Sequence, residues 1–329
     1  MYPFDFVSPC SLKEAYALKK EHFHAVYVAG GTDVLPAIKY ELISPPLLIS
    51  LKKIAGLDEI CPADDALTIG AMTPLWKLAE YAANHPSLKG LNQAARAVAS
   101  PQIRTIGTVG GNLLQEVRCF YYNQTATWRS GVQTCLKFGG DICHQAPAKK
   151  ECPASYYSDL APVLLAADAS VGMFEDEQVK EMSLFALLSS PSARKDSILS
   201  HISVPNPDTV QHIFFAKQAV RGAIDFPLAS AALVLRSDGA IRLCLGAMTP
   251  VPFFLQQTQA ALEHAYQQQS AFPPELYEMA QEEANAHMRP IREASVSPTV
   301  KKHASKVVTQ VMKAFEHVAS SNNGRCAKL

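Results

Sequence analysis

The sequence predicts a mixed fold of helices and strands divided into two or three domains, and three observations carry that expectation. The chain has 329 residues, more than one core usually holds, because domains run to about 100–200 residues. Near the start, the apolar run HAVYVAGG ends in paired glycines and is followed by helical spacing in TDVLPAIKYEL and a second apolar run, PPLLISL. That order of strand, glycine turn, helix and strand builds a small parallel sheet. Beyond residue 205, QHIFFAKQAV, PLASAALVLR and IRLCLGAMT read as strands, or buried helix, around an antiparallel sheet. Two amphipathic patterns come after it, PELYEMAQEEANAHM and SPTVKKHASKVVTQVMKAFEHVA.

Composition narrows the function. Hydrophobic residues make up 48% and charged residues 18%, and 30 basic residues balance 30 acidic ones, which argues against disorder and against nucleic acid as a partner. The opening MYPFDFVSPCSLKEAYALKK lacks the basic-then-apolar order of a secretory signal. Charge interrupts every apolar run short of the ~18 residues that a membrane span needs. A soluble, cytoplasmic protein is expected, and in that reducing compartment clustered cysteines point to metal or redox chemistry rather than disulfides.

Taken in order, Ser11 and Glu14 form a capping-box pattern before AYALKKEH. The texture changes near residue 55: ALTIGAM reads as a strand, Thr73 and Pro74 as an N-cap and first helical residue for PLWKLAEYAANH, and LKGLNQAARAVAS as another helix. TIGTVGGNLL reads as a second glycine turn, SDLAPVLLAAD as a helix and ASVGMF as a strand. VPNP marks a boundary near residue 205, because two prolines in four residues suit neither helix nor inner strand. The expected units are 1–55, 56–205 with an insertion at about 115–155, 206–318, and a disordered tail at 319–329 containing SSNNGRCAKL. GAMTP occurs at 70–74 and again at 246–250, which suggests a shared strand-to-turn solution.

AGGTD, residues 29–33, and TVGGN, residues 108–112, each set adjacent glycines beside an extended segment. Glycine lets a ligand approach bare backbone, whose N–H groups can face phosphate oxygens. Neither turn fits the dinucleotide fingerprint or the lysine-bearing P-loop. Asp33 would repel a phosphate, and fits better as a helix N-terminal residue bonding backbone amides or a ribose hydroxyl.

Four of the eight cysteines, Cys119, Cys135, Cys143 and Cys152, fall within RCFYYNQTATWRSGVQTCLKFGGDICHQAPAKKECP. Their intervals lack the close C-x2–4-C pairs of structural zinc, and an iron–sulfur cluster imposes no single spacing. Cluster, zinc and unligated thiols all stay open on spacing alone. His144 could replace one sulfur, and Phe120, Tyr121, Tyr122 and Trp128 could screen a metal centre or pack the insertion onto its domain. For Cys10, Cys61, Cys244 and Cys326 the expectation is a buried small side chain or a tail thiol.

AGGTDVLP, TIGTVGGNL, SDLAPVLLAADA, FFAKQAVRGAIDFPLASAALVL and LGAMTPVP together resemble the flavoprotein (medium) subunit of the xanthine oxidase family of molybdenum hydroxylases. The four-cysteine insertion between GGN and SDLAP resembles that of 4-hydroxybenzoyl-CoA reductase beta subunits. The resemblance implies an α+β fold, with a two-part FAD-binding domain of the vanillyl-alcohol-oxidase (PCMH) type and a smaller C-terminal α+β domain. It implies FAD held by Val28, Ala29, Gly30, Gly31, Thr32, Asp33, Val34 and Leu35 on one side and by Thr108, Val109, Gly110, Gly111 and Asn112 on the other. Asp159, Lys217 and the backbone of Val98 would lie near the flavin, and Cys119, Cys135, Cys143 and Cys152 would hold a [4Fe–4S] cluster. Asp159 could instead cap its helix, and Lys217 could be a strand-edge charge.

No [2Fe–2S] or molybdopterin pattern is present, so the implied partners are a molybdenum-cofactor large subunit, a [2Fe–2S] small subunit and an external carrier such as ferredoxin. The implied role is electron transfer within such a complex, with aromatic acyl-CoA reduction as one possible overall reaction. The rival readings are a stand-alone flavin oxidoreductase with a structural zinc loop and a non-catalytic scaffold subunit.

Overall fold

A computed structural model describes residues 2–190, 197–205, 210–287 and 299–326. The first unit contains β1 (Asp5–Val7), α1 (Leu12–Glu21), β2 (Val26–Val28), α2 (Val34–Lys39) and β3 (Leu47–Ser50). Its three strands form the expected parallel sheet in the order β1-β3-β2. All four residues of β3 are buried, because helices cover both faces of a parallel sheet. Ile49 joins the cluster of Ala15 and Tyr16 from α1, and Leu48 joins Ile38 from α2. Ser11 Oγ accepts the Glu14 N–H at 3.1 Å, while the Glu14 carboxylate returns to the Cys10 N–H at 2.8 Å and so closes the box one residue early.

The second unit contains β4 (Ile60–Pro62), β5 (Ala66–Gly70), α3 (Leu75–Ala83), α4 (Lys89–Ala97), α5 (Pro101–Ile106), α6 (Val109–Leu113), α7 (Ala126–Ser130), α8 (Leu160–Ala166), β6 (Ser170–Glu175), β7 (Gln178–Ser183), α9 (Leu184–Ser189) and β8 (Ile198–Pro205). Its antiparallel sheet runs β4-β5-β8-β6-β7. The β6–β7 hairpin escapes a sequence reading because its turn residues, Asp176 and Glu177, take positive φ values of 48° and 66° that Asn-Gly usually supplies. Pro74, not Thr73, caps α3; the Thr73 hydroxyl turns away to the Glu59 carbonyl. The second glycine pair lies inside the short helix α6 rather than in an open turn.

The third unit contains β9 (Val210–Gln218), β10 (Ala229–Arg236), β11 (Ile241–Gly246), β12 (Phe253–Phe254), α10 (Gln256–Gln267), α11 (Pro274–His287) and α12 (Thr299–Cys326), with antiparallel strand order β12-β11-β10-β9. Strand β10 is buried on both faces. Ala232 and Val234 join the core around α8, whose seven residues are all buried, and Ala231, Leu233 and Leu235 pack with the last three helices. Each fully buried Val or Leu there contributes about 1.5–3 kcal/mol, so this sheet holds the third unit to the second. The two GAMTP copies each begin where a strand ends, at β5 and β11.

Of the tail expected at 319–329, residues 327–329 lie outside the described residues, and the residues before them continue α12 through Cys326. Val307, Val311, Met312 and Phe315 dock its earlier turns in the core, and no proline occurs between Phe315 and Cys326 to break the helix. The proposed boundary at VPNP, residues 204–207, begins on the last two residues of β8, and its second half lies in 206–209, outside the described residues. Among the described residues no helix is long and apolar enough to cross a membrane.

Candidate functional site

The two glycine segments, far apart in sequence, touch. A Cβ on Gly30 would lie 2.0 Å from the Ile106 carbonyl oxygen, so only glycine permits this approach. Gly31 adopts φ +75°, the left-handed region that reverses the chain after β2. The backbone N–H groups of Gly30, Gly31, Thr32 and Asp33 make no hydrogen bond among the described residues. Four consecutive free donors around a left-handed glycine form a concavity suited to an anion.

The second segment differs from expectation, because its amides are already engaged. The Thr108 hydroxyl accepts the Gly111 N–H at 3.0 Å, Val109 N–H donates to Thr73 O at 2.9 Å, Gly110 N–H to Ala71 O at 2.8 Å, and Asn112 N–H to Thr108 O at 2.9 Å. The two glycines therefore do different work. A Cβ on Gly110 would meet the Ala71 carbonyl oxygen at 2.8 Å, whereas one on Gly111 would meet only Thr108 Oγ1, at 3.0 Å. Gly110 serves packing, and Gly111 keeps an open face. Asn112 Oδ1 accepts the Ser158 hydroxyl at 2.6 Å, which ties the segment to the residue preceding Asp159.

Asp33 stands at the N-cap position of α2 but caps nothing. Its carboxylate pairs with the Arg118 guanidinium and accepts the Glu116 N–H at 3.5 Å. The expectation that it bonds helix amides is thus corrected: a full charge from the cysteine insertion captures it.

Asp159, Lys217 and Val98 are brought together. Lys217 Nζ donates to Asp159 Oδ2 and to Ala97 O, both at 2.8 Å, beside Val98. Asp159 is 3% exposed, and its Oδ1 is buried without a hydrogen-bond partner among the described residues. It does not cap α8; Ser158 Oγ accepts the Ala161 N–H instead, at 3.0 Å. Burial raises the Asp159 carboxyl to about 7, with the Lys217 charge and hydrogen bond pulling it back. Lys217 does sit on the edge strand β9, yet its side chain is turned inward. The Val98 carbonyl accepts Arg104 Nη1 at 2.8 Å, and the next residue, Ala99, is held at φ +43°.

Cys119, Cys135, Cys143 and Cys152 all line one cavity in the insertion. Cys143 Sγ accepts the Ala146 N–H at 3.3 Å, and the Ala154 N–H bonds Cys152, a donor that favours the thiolate of Cys152. Burial raises the Cys152 thiol against that bond and the nearby Lys137. Among the described residues, no group of three or more His, Cys, Asp or Glu is placed to hold a single metal ion. Phe120, Tyr121 and Trp128 form an aromatic cluster, and His144 stacks on Tyr121 at 4.7 Å. Arg129 anchors the insertion, donating to Glu41 O at 2.8 Å and Tyr40 O at 3.2 Å. Cys244 is buried as expected; Cys10 and Cys61 are exposed, and the Cys326 side chain lies outside the described residues.

Sequence reasoning missed Arg118, Ser158 and Arg104. Each acts across turns or domains, and no local pattern announces it.

The profile described as "FAD binding domain in molybdopterin dehydrogenase" matches residues 2–207. The aldehyde oxidoreductase FAD-binding subunit PaoB of Escherichia coli (strain K12) is 29% identical over 258 residues, 74% of this chain and 80% of PaoB. The nicotinate dehydrogenase FAD-subunit of Eubacterium barkeri is 33% identical over 115 residues, 34% of this chain and 39% of its own length. Quinoline 2-oxidoreductase from Pseudomonas putida 86 superposes with a TM-score of 0.74 at 19% identity, over 97% of this chain and 99% of that one, a likeness of fold.

Proposed function

The chain belongs to the family of FAD-binding domains of molybdopterin dehydrogenases, as an FAD-binding medium subunit of the xanthine oxidase type, and we propose that it carries electrons between FAD and a [4Fe–4S] cluster within a molybdenum hydroxylase complex. The substrate site of such a complex is on another subunit. The observation that carries the electron-transfer reading is the convergence of four thiols on one cavity, in an insertion docked on the first glycine turn.

The protein's share of the work is to bind and orient. The free amides of Gly30–Asp33 would receive phosphate oxygens, and the open face of Gly111 would let the ligand lie against the backbone. Asp159 Oδ1, buried and unpartnered, is positioned by Lys217 to accept a hydrogen bond from the nucleotide. Bound FAD would supply the coupling between two-electron and one-electron chemistry. A cluster held by Cys119, Cys135, Cys143 and Cys152 would supply one-electron transfer. A structural zinc loop is the rival reading of the same four thiols, and it lacks the close C-x2–4-C pairs usual for zinc.

The partners would be a molybdenum-cofactor subunit, a [2Fe–2S] subunit and an external one-electron carrier such as ferredoxin. The inserted thiols support a place beside 4-hydroxybenzoyl-CoA reductase beta subunits, with aromatic acyl-CoA reduction as the overall reaction. Anaerobic purification, followed by a visible spectrum and assay of flavin, iron, sulfide and zinc, tests the reading. One FAD with four irons per chain is expected; flavin with stoichiometric zinc and no iron overturns it.

A further inference from the structure

A carboxylate at the end of an anion-binding turn is a contradiction that the structure resolves. Asp33 comes directly after the free amides of Gly30 to Thr32, where its charge would repel a phosphate. The Arg118 guanidinium pairs with one of its oxygens, and the Glu116 N–H approaches the other. We propose that Arg118 is a positioning residue that sets the affinity of the first glycine turn for phosphate by neutralising Asp33, under the control of the four-cysteine loop. The proposal rests on the flavin and cluster assignments above.

Arg118 is suited to this role by its supports. It precedes Cys119 and lines the thiol cavity; its backbone N–H donates to Ser155 O at 3.0 Å; and its guanidinium lies 4.6 Å from the centre of the Phe226 ring. Its Nε is buried without a hydrogen-bond partner among the described residues, so the side chain is held by packing and by Asp33. Lys137, a second cation lining the cavity, pairs with the carboxylate of Glu116, whose backbone faces Asp33. Both cations at the thiol site are therefore tied to the acidic residues beside the glycine turn. Order in the loop becomes charge balance at the turn. An empty thiol site that loosens residues 118–137 would unmask Asp33 and weaken phosphate binding.

The test is titration of flavin-free full-length protein with FAD, monitored by flavin fluorescence, for wild type, Arg118→Gln, Asp33→Asn and the double variant. Arg118→Gln should weaken binding about tenfold at low salt, the size expected of one screened unit charge near a surface. Asp33→Asn should bind at least as tightly as wild type, and the double variant should return to within about threefold of it. Stripping iron from wild type should weaken FAD binding, and stripping it from Asp33→Asn should not. A double variant no better than Arg118→Gln, an Asp33→Asn variant as weak as Arg118→Gln, or equal losses on stripping wild type and Asp33→Asn would each overturn the proposal. The stripping comparison decides even if Arg118→Gln fails to fold. Gly111→Val separates the two levels: if it abolishes FAD binding while Arg118→Gln leaves it unchanged, only the role of Arg118 falls. If neither changes it, the flavin assignment falls as well.

Discussion

Lys217 and Asp159 form an ion pair of 2.8 Å that joins the third unit to the second, with side chains only 13% and 4% exposed. Both charges have left water, so each depends on the other. Lys217→Met should destabilise the protein by about 3–5 kcal/mol, because it leaves a buried carboxylate without its counter-charge. The double change Lys217→Met with Asp159→Leu should recover most of that loss. Urea unfolding of the three flavin-free proteins measures it, and equal stability of wild type and Lys217→Met would refute the dependence.

The same carboxyl makes stability depend on pH. Burial raises Asp159 from the ordinary 3.8 to about 7, so the native state favours its protonated form. That contribution is full below about pH 4 and is lost as pH rises through 7. The stability difference between wild type and Asp159→Asn should therefore shift against wild type between pH 5 and pH 8 in the absence of flavin. Urea midpoints at these two pH values give the sign; an opposite slope would show that Lys217 outweighs burial.

The glycines should separate packing from binding. The Cβ of Gly111→Val would meet Thr108 Oγ1 alone, at 3.0 Å, so circular dichroism and thermal midpoint should stay near wild type while flavin content falls more than about tenfold. Gly30→Ala must push the Ile106 carbonyl away and should lower the midpoint itself. Full flavin in a folded Gly111→Val protein would remove the second glycine pair from the site.

Iron should depend on four thiols and no others. Serine at Cys119, Cys135, Cys143 or Cys152 should lower iron and sulfide and alter the low-temperature EPR signal of the reduced protein. Alanine at Cys10, Cys61 or Cys244 should not. Trypsin should then cut the insertion faster while the flavin-binding body resists, because the metal would add to the few polar ties of Arg118, Arg129 and Lys137 that hold it. Iron retained in all four serine variants would exclude the site.

Glu283 closes the start of α10 from a neighbouring helix, accepting the Gln257 and Thr258 N–H groups at 3.0 and 2.9 Å and the Thr258 hydroxyl at 2.7 Å. Glu283→Ala should cost about 1–2 kcal/mol, read as a lower urea midpoint with an unchanged slope. Flavin content should be unaffected, since the hydrogen bonds of Glu283 go to Gln257 and Thr258 and involve no residue of the glycine segments.

What the sequence by itself determined is what short-range physics can encode. Apolar runs beside glycine pairs defined the parallel β2–α2–β3 unit; the three runs after residue 210 became β9, β10 and β11; and the clustering of Cys119 to Cys152 marked the thiol loop. Tertiary structure alone decided which backbone donors remain free. Val109 and Gly110 lose theirs to Thr73 and Ala71 from a distant turn, while Gly30 to Asp33 keep theirs. It also decided that Asp33 answers to Arg118 instead of its own helix, and that Asp159 answers to Lys217. A local pattern records each residue's propensity and chemistry. Hydrogen bonds and ion pairs are settled by competition among all groups within reach, and only the folded chain brings those competitors together.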